Sequence, residues 1–217
     1  MKKLTLLLLF SLLASSSLLA QVSIGVKAGG ALAGQTNEGV GLGEGEFAKL
    51  TYLGGFFASV PITENVSLQP EVLYSNKGSQ SSGGSINLRY NLHYLSIPIM
   101  LQYRVLDRVF VELGPEFGYL LGTGTNLNND GFGGSFSDNP SFDEQLLASY
   151  RDLDVAFNVG VGYALSDRWL VNLRYNLGLR DISDDFTYDL VGQDGSIVIA
   201  NSTYNRSVQL SVGYRIF

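Results

Sequence analysis

From residue 22 onward, apolar and polar side chains alternate with a period of two in eight stretches: 22–33, 50–60, 66–77, 88–104, 109–122, 153–165, 169–180 and 205–217. Alternation of that kind marks a strand with one apolar and one polar face. The seventh stretch is the clearest. Trp169, Val171, Leu173, Tyr175, Leu177 and Leu179 form one face, and Leu170, Asn172, Arg174, Asn176, Gly178 and Arg180 form the other. No helical period competes over a comparable length, so the pattern predicts an all-β chain.

The seven connections alternate in length. Those at 62–65, 105–108 and 166–168 are tight and polar, whereas those at 34–49, 78–87, 123–152 and 181–204 are long. Outer-membrane barrels have short periplasmic turns and longer extracellular loops. The expectation is therefore a transmembrane up-and-down antiparallel β-barrel of eight strands, with both termini periplasmic. A soluble barrel or sandwich is the alternative, since it alternates in the same way. Two stretches fit unevenly. In the fourth, the apolar phase runs through Leu88, Leu92 and Tyr94 and then shifts to Leu95, Ile97, Ile99, Leu101 and Tyr103, which predicts a β-bulge between Tyr94 and Leu95. In the second, Phe56 and Phe57 are adjacent and cannot both face lipid, which leaves the register open.

The N-terminus adds an address. Lys2 and Lys3 precede an apolar run over 4–13 and a small-residue stretch before Ala20, the layout of a secretory signal peptide. The run is shorter than the roughly 20 residues a spanning helix needs, so cleavage is expected after Ala20, although Leu18 departs from the small residue preferred three positions before the cut. The expected organisation is a signal peptide at 1–20 and one barrel domain at 21–217. The chain has no cysteine, so neither a lipid-modified N-terminal cysteine nor a disulfide framework is expected. The formal charge is −6, and loss of Lys2 and Lys3 takes the mature chain to about −8. Nucleic acid is an improbable partner for so acidic a protein.

Five segments occur in an order and spacing that resemble a known family: Tyr94-Leu95-Ser96-Ile97-Pro98, Gly114-Pro115-Glu116-Phe117-Gly118, Gly160-Val161-Gly162-Tyr163, the run from Leu173 through Arg180 to Ile182, and the ending Gly213-Tyr214-Arg215-Ile216-Phe217. They resemble the PorT-like outer-membrane β-barrel domain proteins of Gram-negative bacteria, over essentially the whole mature chain. The resemblance implies the same eight-stranded barrel, and the protein that gives the family its name is associated with a protein-secretion apparatus. Such barrels usually close with an aromatic residue on the lipid-facing phase, whereas here Val208, Leu210, Val212, Tyr214 and Ile216 share a phase that Phe217 does not.

Strand phase assigns Lys27, Arg104, Arg174, Arg180 and Arg215, with Glu71, Glu112, Glu116 and Asp154, to the interior. Eight strands enclose only enough room for their own side chains, so these charges are expected to pair and fill the lumen. A polar path for small ions is the alternative. Catalysis is not expected, because the one histidine, His93, lies three positions from Ser96, a spacing that puts the two on opposite strand faces, roughly 10 Å apart along the chain. The long loops hold most of the acid: Glu38, Glu44 and Glu46, then Asp130, Asp138, Asp143 and Glu144, then Asp184, Asp185, Asp189 and Asp194. Asn126, Asn128, Asp130 and Gly131 echo the start of a calcium loop, but Ser137 stands where the bidentate Glu belongs, so no metal and no cofactor is expected. Tyr103 and Trp169 border tight turns, as residues of an interfacial aromatic girdle do.

Together these readings predict a noncatalytic outer-membrane barrel with a side-chain-filled lumen and an envelope, binding or surface-assembly role. Its expected partners are outer-membrane lipids, the outer-membrane insertion machinery and a protein docking on the long loops. A narrow porin-like channel for small solutes or ions is the alternative function.

Overall fold

The computed structural model describes residues 22–36, 49–83, 86–129, 134–137, 150–183, 186–189, 196–199 and 202–217. The expected signal peptide and most of the acidic loop positions lie outside them. Eight long strands carry the architecture: β1 (Ser23–Thr36), β2 (Lys49–Pro61), β3 (Val66–Lys77), β5 (Ile86–Arg104), β6 (Val109–Asn129), β8 (Leu153–Ala164), β9 (Trp169–Gly178) and β12 (Tyr204–Arg215). Each pairs antiparallel with its neighbours in the chain, and β12 returns to β1, with Gly25 opposite Arg215 and Thr36 opposite Tyr204. The β5–β6 pairing completes the ring, so the sheet is a closed eight-stranded barrel. Each of the eight long strands is paired on both sides, the condition for crossing a bilayer with strands. Two short strands lengthen the wall at the loop end, β4 (Gln80–Gly83) on β5 and β7 (Gly134–Ser137) on β6, and β10 (Phe186–Asp189) pairs with β11 (Ser196–Ile199) as a separate hairpin.

The three tight turns share one construction. Ile62 N–H donates to the Val66 carbonyl at 2.8 Å, Val105 to Val109 at 3.0 Å and Leu165 to Trp169 at 2.9 Å. In two of them a hydroxyl stands in for missing ladder partners. Thr63 Oγ1 accepts from Val66 N–H at 3.0 Å, and Ser166 Oγ accepts from Trp169 N–H at 3.1 Å, the local bonding that favours Ser and Thr in turns.

The outer face is apolar all the way round. Leu32, Phe56, Val72, Ile99, Leu113, Val159, Leu173 and Leu210, one from each long strand, are all exposed. A continuous exposed apolar band of that extent has no stable place in water and suits a hydrocarbon surround. Its upper and lower rims carry aromatic rings. Trp169 packs on Tyr214 near the turns at a centroid distance of 4.8 Å, with Tyr103 also exposed at that end. Tyr52, Tyr74 and His93 stack in file toward the loop end, with centroids 6.1 and 5.8 Å apart.

The structure settles both uneven stretches. In β2, Phe56 points outward at 63% exposure and Phe57 inward at 2%. β5 alternates without a break across Tyr94 and Leu95, so the expected bulge is not in that strand. Leu92 and Tyr94 are inward residues, and the apolar phase changes along the sequence because this part of the interior is itself apolar. The irregularity sits on the partner strand, where His93 faces Gly122 and Tyr94 faces Leu120, leaving Leu121 as the extra residue of a bulge in β6. β6 also runs seven residues beyond the expected end, to Asn129, so Asn126 and Asn128 are extended and paired with Arg89 and Asn87 rather than placed in a cation-binding loop. Phe217, the residue out of phase with the lipid face, ends 86% exposed beyond β12.

Candidate functional site

The inward side chains form four layers. Nearest the turns is an apolar floor of Phe57, Phe110 and Leu170. Glycines make this floor possible: a Cβ on Gly25 would strike the Phe57 ring, and one on Gly162 the Phe110 ring. Above it lies the first ionic cluster. Arg174 spans the bore, donating from Nε to Glu112 Oε1 at 3.1 Å and from Nη1 and Nη2 to the two oxygens of Glu71 at 3.2 and 3.0 Å. The planar guanidinium fork suits two carboxylates on opposite walls. Lys27 Nζ reaches the same Glu71 Oε1 at 2.6 Å. Amides complete the shell, with Gln69 donating to Glu71 at 2.7 Å, and Gln102 and Asn172 to Glu112 Oε2 at 3.0 and 3.1 Å. All four charged groups are buried.

The second ionic cluster lies toward the loops. Lys77 Nζ sits 2.9 Å from both Glu116 Oε1 and Asp154 Oδ2. Asn158 and Asn176 donate to Glu116 Oε2 at 2.9 and 3.1 Å, and Asn205 donates to Asp154 Oδ2 at 3.0 Å. An apolar cap of Leu92, Tyr94, Leu120 and Ile182 closes the stack. The lysines tie polar to apolar layers: Lys27 Nζ stands 5.8 Å from the Phe57 ring centroid, and Lys77 Nζ 5.2 Å from that of Tyr94, both within cation–π range.

Of the nine charges assigned to the interior from the sequence, the structure gathers Lys27, Glu71, Glu112, Glu116, Asp154 and Arg174 into these clusters. Arg104, Arg180 and Arg215 are elsewhere. Arg104 ends β5 at the turn-side mouth and is exposed there. Arg215 ends β12, half-buried at the same mouth, and donates to the Asp167 carbonyl at 3.2 Å. Arg180 is exposed because β9 stops at Gly178; Leu179 and Arg180 both turn their N–H groups to the Val155 carbonyl, at 2.8 and 3.2 Å, and the alternation ends with the strand. Phase assigns a side, but only depth in the barrel removes a charge from water. Within the two clusters, Lys77 is the charge that the sequence reading passed over, although it shares the parity of Glu71 within the third stretch. His93 and Ser96 point to opposite faces: His93 Nδ1 lies 2.7 Å from the Tyr74 hydroxyl outside, and Ser96 Oγ 2.8 Å from Ser75 Oγ inside.

Residues 14–184 match the family described as the outer membrane protein beta-barrel domain. The chain belongs to that family. Its place is accordingly the outer membrane, which the closed ring and the apolar band of the outer face suit. Among solved structures it is similar to Neisserial surface protein A, at 14% identity and a TM-score of 0.50, covering 90% of this chain and 99% of that one. It is also similar to Ail, the attachment invasion locus protein of Yersinia pestis, at 12% identity and a TM-score of 0.45, covering 89% and 98%. At such identities the likeness is one of fold. A comparison with curated proteins returns no match.

Proposed function

We propose that this outer membrane barrel is sealed and noncatalytic, with both termini in the periplasm, and that it serves a binding or surface-assembly role through its long loops. The observation that carries this reading is the filling of the bore: two hydrogen-bonded ionic clusters stacked between an apolar floor of Phe57, Phe110 and Leu170 and an apolar cap of Leu92, Tyr94, Leu120 and Ile182. An ion crossing this bore would have to shed its hydration at each apolar layer and break paired charges between them, a cost in a low-dielectric site far above thermal energy. The PorT-like resemblance supports a role beside a secretion or surface apparatus, in which the barrel is an anchor and the loops make the contacts.

The test is a planar-bilayer recording on the refolded protein. The sealed reading expects no reproducible unitary openings under an applied voltage. Steady openings of one size would replace it with the narrow-channel reading. Protease added to intact cells tests the orientation, with cutting expected in the long connection 123–152 and not at the turns near Asp107 and Asp167.

A further inference from the structure

The ladder of the wall is interrupted toward the loop end, between β2 and β3. These strands pair from Pro61 opposite Ser67 up to Leu53 opposite Ser75, whereas β2 continues along β1 as far as Lys49 opposite Ala33. β3 parts from β2 beyond Ser75 and ends at Lys77. The chain then bends at Gly78, whose φ of 112° lies in the left-handed region that glycine adopts without steric cost. A Cβ there would strike the Tyr90 carbonyl. Beyond the kink, β4 follows β5 instead. Lys49 crosses the seam, donating from Nζ to Asn76 Oδ1 at 3.0 Å, the Lys77 carbonyl at 2.9 Å and the Tyr90 carbonyl at 2.8 Å. All three acceptors are neutral. At 4% exposure, Lys49 is thus a buried ammonium with no carboxylate partner among the described residues.

Beside this pin a recess of about 380 Å³ opens on the outer wall, lined in part by Lys49, Tyr52, Asn76, Arg89, Asn91 and His93. No acidic side chain among the described residues lines it. Arg89 is exposed and spends Nε on Gln80 Oε1 at 2.9 Å. The Tyr74 hydroxyl engages Nδ1 of His93, which leaves Nε2 facing the Gly124 side of the recess. The stacked rings of Tyr52, Tyr74 and His93 mark this as the depth of an aromatic belt, where lipid headgroups lie.

The geometry points to a binding site for the phosphate of an anionic membrane lipid, held between the Arg89 guanidinium and His93 Nε2 in the field of Lys49, with the acyl chains descending the apolar outer face past Phe56 and Val72. Lys49 has all three donors engaged, so it contributes charge while Arg89 and His93 contribute hydrogen bonds. A phosphate here would also supply the counter-charge that the buried ammonium lacks, and guanidinium and phosphate form charge-assisted, bidentate contacts.

The full chain, refolded into phosphatidylcholine nanodiscs with and without phosphatidic acid, tests this by native mass spectrometry of the lipid retained on release from the disc. The wild type is expected to retain phosphatidic acid, and Arg89→Gln combined with His93→Phe to retain about tenfold less, the scale of losing a hydrogen bond to a charged group. Both changes are on the outer face, so heat-modifiable gel mobility should show the variant folded. Arg108→Gln, at the opposite end, should retain as much as the wild type. Equal retention by the double variant overturns the site, and so does an equal drop with Arg108→Gln, which would mean only bulk charge. Complete displacement of the lipid by inorganic phosphate would assign the recess to free phosphate and overturn the lipid assignment.

Discussion

The two ionic clusters of the bore share strands β3, β6 and β9 and the same chemistry but differ in balance. Near the turns, two cations, Lys27 and Arg174, meet two carboxylates, Glu71 and Glu112. Toward the loops, Lys77 alone stands between Glu116 and Asp154. In the first cluster every carboxylate oxygen accepts a hydrogen bond. In the second, Asp154 Oδ1, on a side chain 1% exposed, has no partner among the described residues. The difference shows that a buried charge is held by the sum of its local donors and not by formal pairing. The acid-rich cluster persists because Asn158, Asn176 and Asn205 supply the donors that a second cation would have given.

Removing the sole cation should have the largest effect. Lys77→Met leaves two buried carboxylates facing each other and is expected to destabilise the barrel by about 3 to 5 kcal/mol, read from urea unfolding in micelles. A loss under 1 kcal/mol would mean that water reaches the cluster. Next comes Glu112→Gln, expected to cost about 3 kcal/mol, because both Glu112 oxygens already accept and an amide would turn one donor against Arg174 or against Gln102 and Asn172. If this variant unfolds at the wild-type midpoint, the balanced cluster is not what holds the middle of the bore.

The floor beneath the balanced cluster should respond less. In Gly162→Val the new side chain meets the Phe110 ring, and repacking should cost about 1 to 3 kcal/mol, seen as a lowered midpoint with an unchanged slope. The smallest effect is expected for Asp154→Asn, within about 1 kcal/mol. It retains the oxygen that accepts from Lys77 and Asn205, replaces the oxygen without a partner, and brings the acid-rich cluster to neutrality. A penalty for Asp154→Asn equal to that for Glu112→Gln would erase the distinction between the clusters.

Much of this is legible in the alternation. Parity within a strand puts Glu71, Glu112, Glu116, Asp154 and Arg174 on one side of the wall and Leu173 or Leu210 on the other, and it puts Lys77 beside Glu71 by the same rule. What parity cannot give is depth. Arg104 and Arg215 have the inward parity, yet they stand at the mouth, where water solvates them, and Arg180 lies past the last ladder residue of β9. Lys49 was hidden for a related reason: it is the first residue of β2, which begins one position before the apolar pattern does.

The sequence by itself determined the number of long strands, the alternation of short and long connections, the lipid-facing side and most of the charges turned inward, because each depends on chain-local periodicity and turn chemistry. Only the tertiary structure decided which charge meets which. Arg174 and Glu71 lie 103 positions apart and Lys77 and Asp154 lie 77 apart, and their contact follows from the barrel's closure and register. The same holds for the bulge at Leu121 and the seam that opens beyond Ser75. Both are relations between neighbouring strands, and a register mismatch between two strands leaves no mark on the alternation of either one alone.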